Sequence, residues 1–480
     1  MENMFKLEII PETRMLPVAL SSAREAGLQF FDKQTAERIV LSLEEALQNV
    51  AEYCVSDHLD SITIEAGVEN GDFVLTVTDK GMPGDLETML QGENALGLSL
   101  MHKMMDRVSI ENLGPAGRRQ RLFKHIANMP EFSRRQVCED DATSADVHLS
   151  IRPLRQEEAV EVARCIYDEF GFTYPTATVY YPDEFFAATQ RGEIYSLVAV
   201  TDENEIAAHL AIWQWSSLPG IWEMGMGVVK HRFRNAHIMG RLTEAIRDYA
   251  RDGMQLSALL CEPVLYHPFT QKISNRSGFI ACGAGLSYVP AGFHNSFKNT
   301  PDIRNNVAIA MAVFQRKERT LYLNPQVLPL VQDVLSRMEL PCRLVTEPSP
   351  CEASESETLS EAYPSFGLGR IIIYRTGRDV AQRLRLAVTE LKRQNVEVIE
   401  LFIQINEPGA QTAYLAAEEI GFFCTGLIPF GRRGDMLMME NLFSQSVDYD
   451  TFQTVEPFTG VIRNIRALDP DQIQKGADGK

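Results

Sequence analysis

The chain has 480 residues, more than one ordinary hydrophobic core requires, and its length predicts about three domains. Hydrophobic residues make up 45% and charged residues 23%, a composition that excludes a largely disordered chain. The formal net charge of −19 argues against a general binder of nucleic acids or anionic membranes, because no excess of Lys and Arg offsets the phosphate charge.

The eight cysteines are scattered, without a C-x-x-C pair or the spacing of a metal site, so we expect reduced and mostly buried thiols. The N-terminal stretch lacks a basic segment followed by an apolar run, and nowhere do about eighteen apolar residues follow one another. These patterns predict a cytoplasmic protein without a membrane span.

Changes in pattern divide the chain into an α/β (α+β) multidomain protein. Residues 1–126 alternate strand and helix patterns, and residues 127–146 mix charge, Pro and Ser as linkers do. Residues 147–314 predict a mixed α/β domain, and residues 315–466 predict another. Residues 467–480 predict a flexible tail.

The first block contains a long helical pattern that includes "LSLEEALQNVAEY". Glu45 and Asn49 lie one turn apart and point nearly opposite to the apolar stripe centred on Leu43. Taken alone, such a pair indicates a solvated helix face, because charged residues usually coat the outside. Only the segments that follow favour a functional site.

A hairpin pattern around Asn70-Gly71 comes next, and its second strand ends in "TDKGMPGD". Asp79 at this strand end can accept a hydrogen bond from an exocyclic amine, and the glycines after it allow close approach of a ligand. Farther on, Gly97 lies at a predicted helix start, where backbone N–H groups and the helix dipole attract phosphate.

In order and spacing, these three pieces resemble the ATP-binding domain of the GHKL superfamily, an α/β sandwich, and most closely the anti-sigma-factor serine/threonine kinases. The resemblance covers the whole first block and implies ATP or ADP with Mg²⁺ as cofactor. It implies that Glu45 is a general base, that Asn49 holds Mg²⁺ and that Asp79 reads adenine. It also implies nucleotide-binding roles for Gly81, Pro83, Gly97 and Leu98.

Three positions depart from the pattern of that superfamily, and residues 84–96 correspond to its nucleotide lid. Ala95 replaces the first Gly of the second glycine box, so that a Cβ would crowd the phosphate. Tyr53 replaces a frequent His, and "GRRQ" replaces a late Gly-Thr pair. Whether the site is a kinase or a nucleotide sensor therefore stays open.

In the second block, a basic loop with Lys230, His231, Arg232 and Arg234 precedes a predicted helix. This basic loop is a candidate pyrophosphate-binding site. Together with the surrounding strands, residues 147–314 resemble the GNAT acetyltransferases, which implies acetyl-CoA as a candidate cofactor. Arg234 matches the family's CoA motif, but His237 and Met239 replace its two glycines. Glu223 matches an acidic position that implies a general base acting through water.

The remaining GNAT position holds Ser274 where many members have a general-acid Tyr, which leaves Tyr266 or His267 as nearby substitutes. The third block repeats the strand, helix and Gly-Phe turn of the second, so it predicts a degenerate second GNAT-like unit. It opens with a predicted helix, followed by an acidic, Ser-rich exposed loop over residues 347–361.

Three functions stay open at this point. The first is an ATP-binding regulator of the anti-sigma-factor kinase type, which phosphorylates or sequesters a protein partner such as a sigma factor or an anti-sigma-factor antagonist. The second is an N-acyltransferase whose ATP domain senses nucleotide, and the third is a non-catalytic, nucleotide-dependent switch. We expect no direct nucleic-acid partner and no membrane partner, and a homodimer is an open alternative.

Overall fold

The computed structural model describes residues 2–53, 61–81, 94–127, 148–214, 218, 220–234, 237–291, 303–431 and 433–478. The chain forms two compact units, residues 1–136 and 137–480, whose boundary falls inside the segment predicted as a linker. The architecture is mixed α/β throughout, as the sequence predicts. None of the helices in these ranges is long and apolar enough to cross a lipid bilayer.

The first unit has a five-stranded antiparallel sheet in the order β1-β2-β3-β5-β4. Its strands are β1 (Glu2–Ile9), β2 (Ile62–Glu69), β3 (Asp72–Asp79), β4 (Arg107–Asn112) and β5 (Arg118–His125). Helices α1 (Leu16–Gly27), α2 (Lys33–Tyr53) and α3 (Asn94–Met104) share one core with the sheet. The predicted hairpin is β2-β3, and its turn residues Asn70 and Gly71 both have positive φ, as a primed turn requires.

The second unit begins with β6 (Leu149–Pro153), α4 (Ala159–Phe170), α5 (Pro182–Gln190), β7 (Ile194–Thr201), β8 (Ile206–Gln214) and β9 (Trp222–Val229). It continues with α6 (Ile238–Asp248), β10 (Ala258–Cys261), α7 (Phe269–Arg276), β11 (Ile280–Val289) and β12 (Asn305–Val313). The predicted strand, helix and strand order of residues 147–314 is present in this part of the unit.

After β12 come β13 (Arg319–Tyr322), α8 (Leu328–Arg337), β14 (Cys342–Val345), β15 (Glu357–Tyr363) and β16 (Leu368–Arg375). The chain then forms α9 (Val380–Arg393), β17 (Val398–Gln404), α10 (Ala410–Glu418), β18 (Phe423–Gly431), β19 (Gly434–Asn441), α11 (Phe458–Arg466) and α12 (Pro470–Asp478). Apart from the β13-β14 pair, the strands of the second unit form one sheet, in the order β15-β16-β17-β19-β18-β11-β12-β10-β9-β8-β7-β6.

The internal repeat that the sequence predicts is visible in this sheet. The sequence β9-α6-β10-α7-β11-β12 in the first half corresponds to β16-α9-β17-α10-β18-β19 in the second. In both halves the first two strands are parallel neighbours, namely β9 and β10 in the first half and β16 and β17 in the second. The last strand, β12 or β19, lies between the second and third strands and is antiparallel to the second. The two halves join where β11 pairs with β18.

Two glycines make this join possible. Gly283 of β11 and Gly426 of β18 are directly paired. A Cβ built on Gly426 would lie 2.7 Å from the Gly283 Cα, and one on Gly283 would lie 2.9 Å from the Thr425 carbonyl oxygen. Since both contacts are with backbone, the strands would have to separate to admit a side chain.

Two segments differ from the sequence prediction. The loop expected over residues 347–361 becomes ordered at its end, because Asp379 Oδ1 accepts hydrogen bonds from Ser356 N and Oγ at 2.7 and 2.8 Å and anchors the start of β15. The tail expected from residue 467 contains helix α12, whose first turn is capped by Asp469 Oδ1 accepting from Asp471 N–H at 2.9 Å.

We predict that Gly426→Ala lowers the melting temperature of the second unit, because overpacking a closed backbone contact costs about 1–3 kcal/mol. For a unit as large as residues 137–480 the loss corresponds to a few degrees at most, about 1–2 °C per kcal/mol. Gly240→Ala is the matched control, since nothing lies within 4 Å of a Cβ at that position on α6. Calorimetry in which both variants melt together would contradict the role of the glycine pair.

Candidate functional site

Helix α2 has the predicted apolar stripe. It begins after Asp32, whose Oδ1 accepts from Thr35 N–H at 2.7 Å and caps the first turn. The side chains of the stripe are buried in the core of the first unit, namely Ala36, Ile39, Val40, Leu43, Ala46, Leu47 and Val50. Burial of this stripe fixes the rotation of α2 and therefore the direction of its polar face.

The polar face of α2 is not a solvated surface, because Glu45 and Asn49 are both half-buried. Glu45 lies against Gly97 on helix α3, where a Cβ built on the glycine would be 2.5 Å from Glu45 Oε2. The structure thus brings the candidate base next to the glycine expected at the phosphate. Asn49 follows one helical turn later, and its amide oxygen is the kind of hard ligand that Mg²⁺ accepts.

Asp79, at the end of β3, is 2% exposed. One carboxylate oxygen, Oδ1, accepts from Gly81 N–H at 3.1 Å. The other, Oδ2, lies 3.3 Å from Nε of Arg118, a residue of β5 that is directly paired with Asp79. Both oxygens of the candidate base-reading carboxylate therefore already receive an N–H donor from the protein.

Gly117 draws β5 against β3 at this point. Its φ of +95° belongs to a region that side chains disfavour, and a Cβ there would lie 2.0 Å from the Asp79 carbonyl oxygen. Gly117 is the one residue of the late Gly-Thr pair that the sequence keeps. In the sequence, its neighbour Arg118 is only part of a departure from the pattern, although a basic residue directly after this glycine, opposite an acidic strand end, is a usable signal.

Gln120 connects this end of the sheet to α2, because its fully buried side chain donates from Nε2 to the Ala46 carbonyl oxygen at 3.2 Å. Its Oε1 has no hydrogen-bond partner in the part of the chain that the structure describes. This leaves one buried acceptor at the contact between β5 and α2. The oxygen atoms of Asn49 and Asp79 are of the kind that a magnesium nucleotide requires.

The other predicted nucleotide residues fall into two groups. Gly81 is placed beside Asp79, and Gly97 lies in the first turn of α3, which begins at Asn94. Leu98 packs its side chain against the core of the first unit, so only its backbone is available to a ligand. Pro83 and residues 84–93 of the expected lid lie outside the described residues, as do the side chains of Ala95 and Tyr53.

In the second unit, carboxylates of the same unit pair with the basic loop. Lys230 Nζ lies 2.6 Å from Glu161 and 3.2 Å from Glu205, which also contacts Arg232. Arg234, the residue expected at the pyrophosphate, is 2.5 Å from Glu169 Oε2. A pyrophosphate would have to compete with these carboxylates for the cations.

The positions of the two missing glycines are also filled. His237 has φ +51° at the start of α6, and Met239 packs towards β9, with its Cε 3.3 Å from where a Cβ on Gly227 would lie. On β9 itself, Met226 N–H donates to the Tyr174 hydroxyl at 2.6 Å, so this backbone donor is taken by the protein. Ser274, at the position of the expected acid, is buried and donates to Thr270 O.

Glu223 belongs to a group of carboxyls that sequence reasoning missed. Glu223 lies on β9 and is paired with Leu260 of β10. Glu262 follows Leu260 by two residues in the chain. Burial, followed by the neighbouring Glu223 carboxylate, raises the pKa of Glu262 well above its ordinary value. The structure thus places the predicted base beside a buried carboxyl whose neutral form is favoured.

The second half of the sheet extends this group. Glu400 on β17 is paired with Glu440 on β19, and its Oε2 accepts from Arg370 at 3.0 and 2.7 Å. Burial raises the pKa of Glu440 well above the ordinary value, and its carboxyl accepts from Leu286 N–H of the first half. A glutamate within an otherwise apolar strand was the sequence signal for both residues.

Comparison with known proteins gives the class of the first unit. Residues 11–124 match the family model described as the histidine kinase-like ATPase domain. The chain therefore contains a GHKL-type ATPase domain, as the sequence motifs predict. No curated protein shows significant sequence similarity to the chain.

Solved structures that match part of the chain include acetyltransferases. A ribosomal-protein-S5-alanine acetyltransferase from Vibrio fischeri matches at 12% identity with a TM-score of 0.29, covering 35% of this chain and 94% of that one. A spermidine N-acetyltransferase from Vibrio cholerae matches at 10% identity with a TM-score of 0.29 and the same coverage. At these values the likeness assigns no activity to this chain.

We predict that the full-length chain binds acetyl-CoA weakly or not at all, because the loop cations are paired and the glycines are replaced. Titration calorimetry with acetyl-CoA should give no saturable heat at micromolar concentration. The double change His237→Gly and Met239→Gly should favour binding by removing both side chains. Micromolar binding by the unchanged chain, abolished by Arg234→Ala, would show that the site is functional.

Proposed function

We propose that the first unit binds a magnesium purine nucleotide, and that the protein is a nucleotide-dependent regulator of the anti-sigma-factor kinase type. The observation that carries this proposal is the contact between Glu45 on α2 and Gly97 on α3. It brings a half-buried carboxylate to the first turn of a helix whose backbone N–H groups attract phosphate.

Each predicted residue has a role in this proposal. Asn49 would hold Mg²⁺ through its amide oxygen, and the metal supplies positive charge beside the phosphates when it is bound. The N–H groups around Gly97 and Leu98 would contact phosphate oxygens, while Asp79 and Gly81 line the base end.

Glu45 is the residue through which the site would perform chemistry. As a general base, it would take the proton from a Ser or Thr hydroxyl of the partner while that oxygen forms a bond to the γ-phosphorus. The bond from the γ-phosphorus to the bridging oxygen breaks, and the nucleoside diphosphate leaves with the electron pair. Glu45 ends the step protonated and returns its proton to water.

The second unit would act as the output or docking platform for this switch. Its cations are paired internally at the one loop predicted to hold CoA, so the described contacts favour recognition of a partner over acyl transfer. The partner would be a protein of the anti-sigma-factor antagonist or sigma-factor type. Cytoplasmic localisation and a homodimer belong to the same proposal.

We predict that Asn49→Ala removes the Mg²⁺-dependent part of ATP affinity, because it deletes the oxygen that would contact the metal. Binding in the presence of Mg²⁺ should weaken about tenfold or more, equal to about 1.4 kcal/mol. Binding in EDTA should be unchanged. Gln48→Ala, at an exposed neighbouring position on α2, is the control, and unchanged Mg-ATP binding by Asn49→Ala would refute the metal role.

We predict that Glu45→Gln retains nucleotide binding but loses turnover by about 100-fold or more, the usual contribution of a general base. The amide keeps the shape of the side chain against Gly97 and cannot take a proton. The measurements are nucleotide affinity by calorimetry and release of ADP in the presence of partner protein. Glu44→Gln on the same helix should turn over normally, and equal turnover in both variants would exclude Glu45 as the base.

A further inference from the structure

We propose that Arg118 makes the base end of this site selective for 6-oxopurine nucleotides, such as ITP and GTP, over ATP. This inference rests on the proposed nucleotide-binding function, because it assigns a base class to the end of the site at Asp79. The expectation that Asp79 binds adenine is replaced by a preference for a 6-oxopurine, which the buried charges at this position favour.

The structure places a cation beside the base-reading carboxylate. Asp79 and Arg118 are directly paired across β3 and β5, and the guanidinium Nε lies 3.3 Å from Oδ2. Both residues are buried, at 2% and 8% exposure. The positive φ of Gly117 and its contact with the Asp79 backbone hold the two strands together at this point, so the pair is a fixed feature of the sheet.

The carboxylate is already well supplied with donors. Gly81 N–H contacts Oδ1, and Arg118 contacts Oδ2. The exocyclic amine of adenine would bring a further donor to this carboxylate, next to a guanidinium that has five N–H donors and no acceptor. Donor beside donor near a buried positive charge is unfavourable, so Arg118 weakens the contact on which adenine recognition would depend.

A 6-oxopurine presents the opposite chemistry at the same atoms. Its O6 is an acceptor suited to the guanidinium, and its N1–H is a donor suited to Asp79. Adenine can offer only a ring nitrogen to the guanidinium, whereas the O6 and N7 atoms of guanine are good acceptors for Arg, as its contacts with guanine in the DNA major groove show.

The expected preference follows from one gained charge-assisted hydrogen bond and one avoided repulsion. A hydrogen bond to a charged group at a buried position changes affinity by about tenfold to a hundredfold. We therefore expect ITP and GTP to bind at least about tenfold more tightly than ATP. The comparison of ITP with ATP isolates the purine 6-position and its neighbour N1, because the sugar and phosphates are the same.

The experiment measures the affinity of the full-length chain for Mg-ATP, Mg-ITP and Mg-GTP by titration calorimetry. The variant is Arg118→Thr, which removes the cation and leaves a small hydroxyl beside Asp79. We expect the preference for ITP over ATP to disappear or reverse in this variant. Arg119→Thr is the matched control, because this half-buried neighbour alternates to the other face of β5, and its preference should equal that of the wild type.

Each outcome decides the proposal, and the wild-type comparison does so even if Arg118→Thr does not fold. ATP binding as tight as ITP binding in the wild type would overturn the base assignment and leave the nucleotide-binding proposal standing. A preference for ITP that persists in folded Arg118→Thr would overturn the role of Arg118. Failure of all three nucleotides to bind would overturn both the base assignment and the proposed function.

Discussion

The need to pair every buried charge shapes both units of this protein. A carboxylate or guanidinium removed from water costs several kcal/mol unless an opposite charge or a set of donors replaces the solvent. Asp79 is held by Arg118 in the first unit, and Glu400 by Arg370 in the second. At Glu440, burial and the neighbouring Glu400 carboxylate raise the pKa of the carboxyl instead.

This constraint connects structure with recognition in the first unit. A site made of buried, already paired groups can accept a ligand only when the ligand offers better partners than the protein does. At the Asp79 end, the protein supplies its own cation and thereby changes which base can compete. At the Glu45 end, the carboxylate lies against Gly97 in the first turn of α3.

In the second unit, the repeated strand and helix pattern produces one sheet rather than two separate ones. The halves can join because glycines face each other at β11 and β18, and the join brings glutamates from both halves into one group. The same join gives the two halves one continuous hydrophobic core and places the Arg370 cation near the buried carboxyls. Internal ion pairs on the basic loop engage the cations that a pyrophosphate group would need.

The sequence by itself determined the features that depend on local periodicity and turn chemistry. The apolar stripe on α2 set the direction of Glu45 and Asn49, Asn70-Gly71 set the β2-β3 hairpin, and the repeated pattern indicated the second half. The Asp79-Gly81 turn was equally readable, because its residues are neighbours in the chain and form their contact locally.

Only the tertiary structure decided which distant residues meet. Arg118 reaches Asp79 because β5 pairs with β3 in one register, and a shift by one residue would turn Arg118 to the other face of the sheet. Glu223, Glu262 and Glu440 come together through strands that are far apart in the chain, and Ser356 is anchored by Asp379. Local patterns specify the elements, but the pairing of their charges depends on the register and packing of the complete sheet.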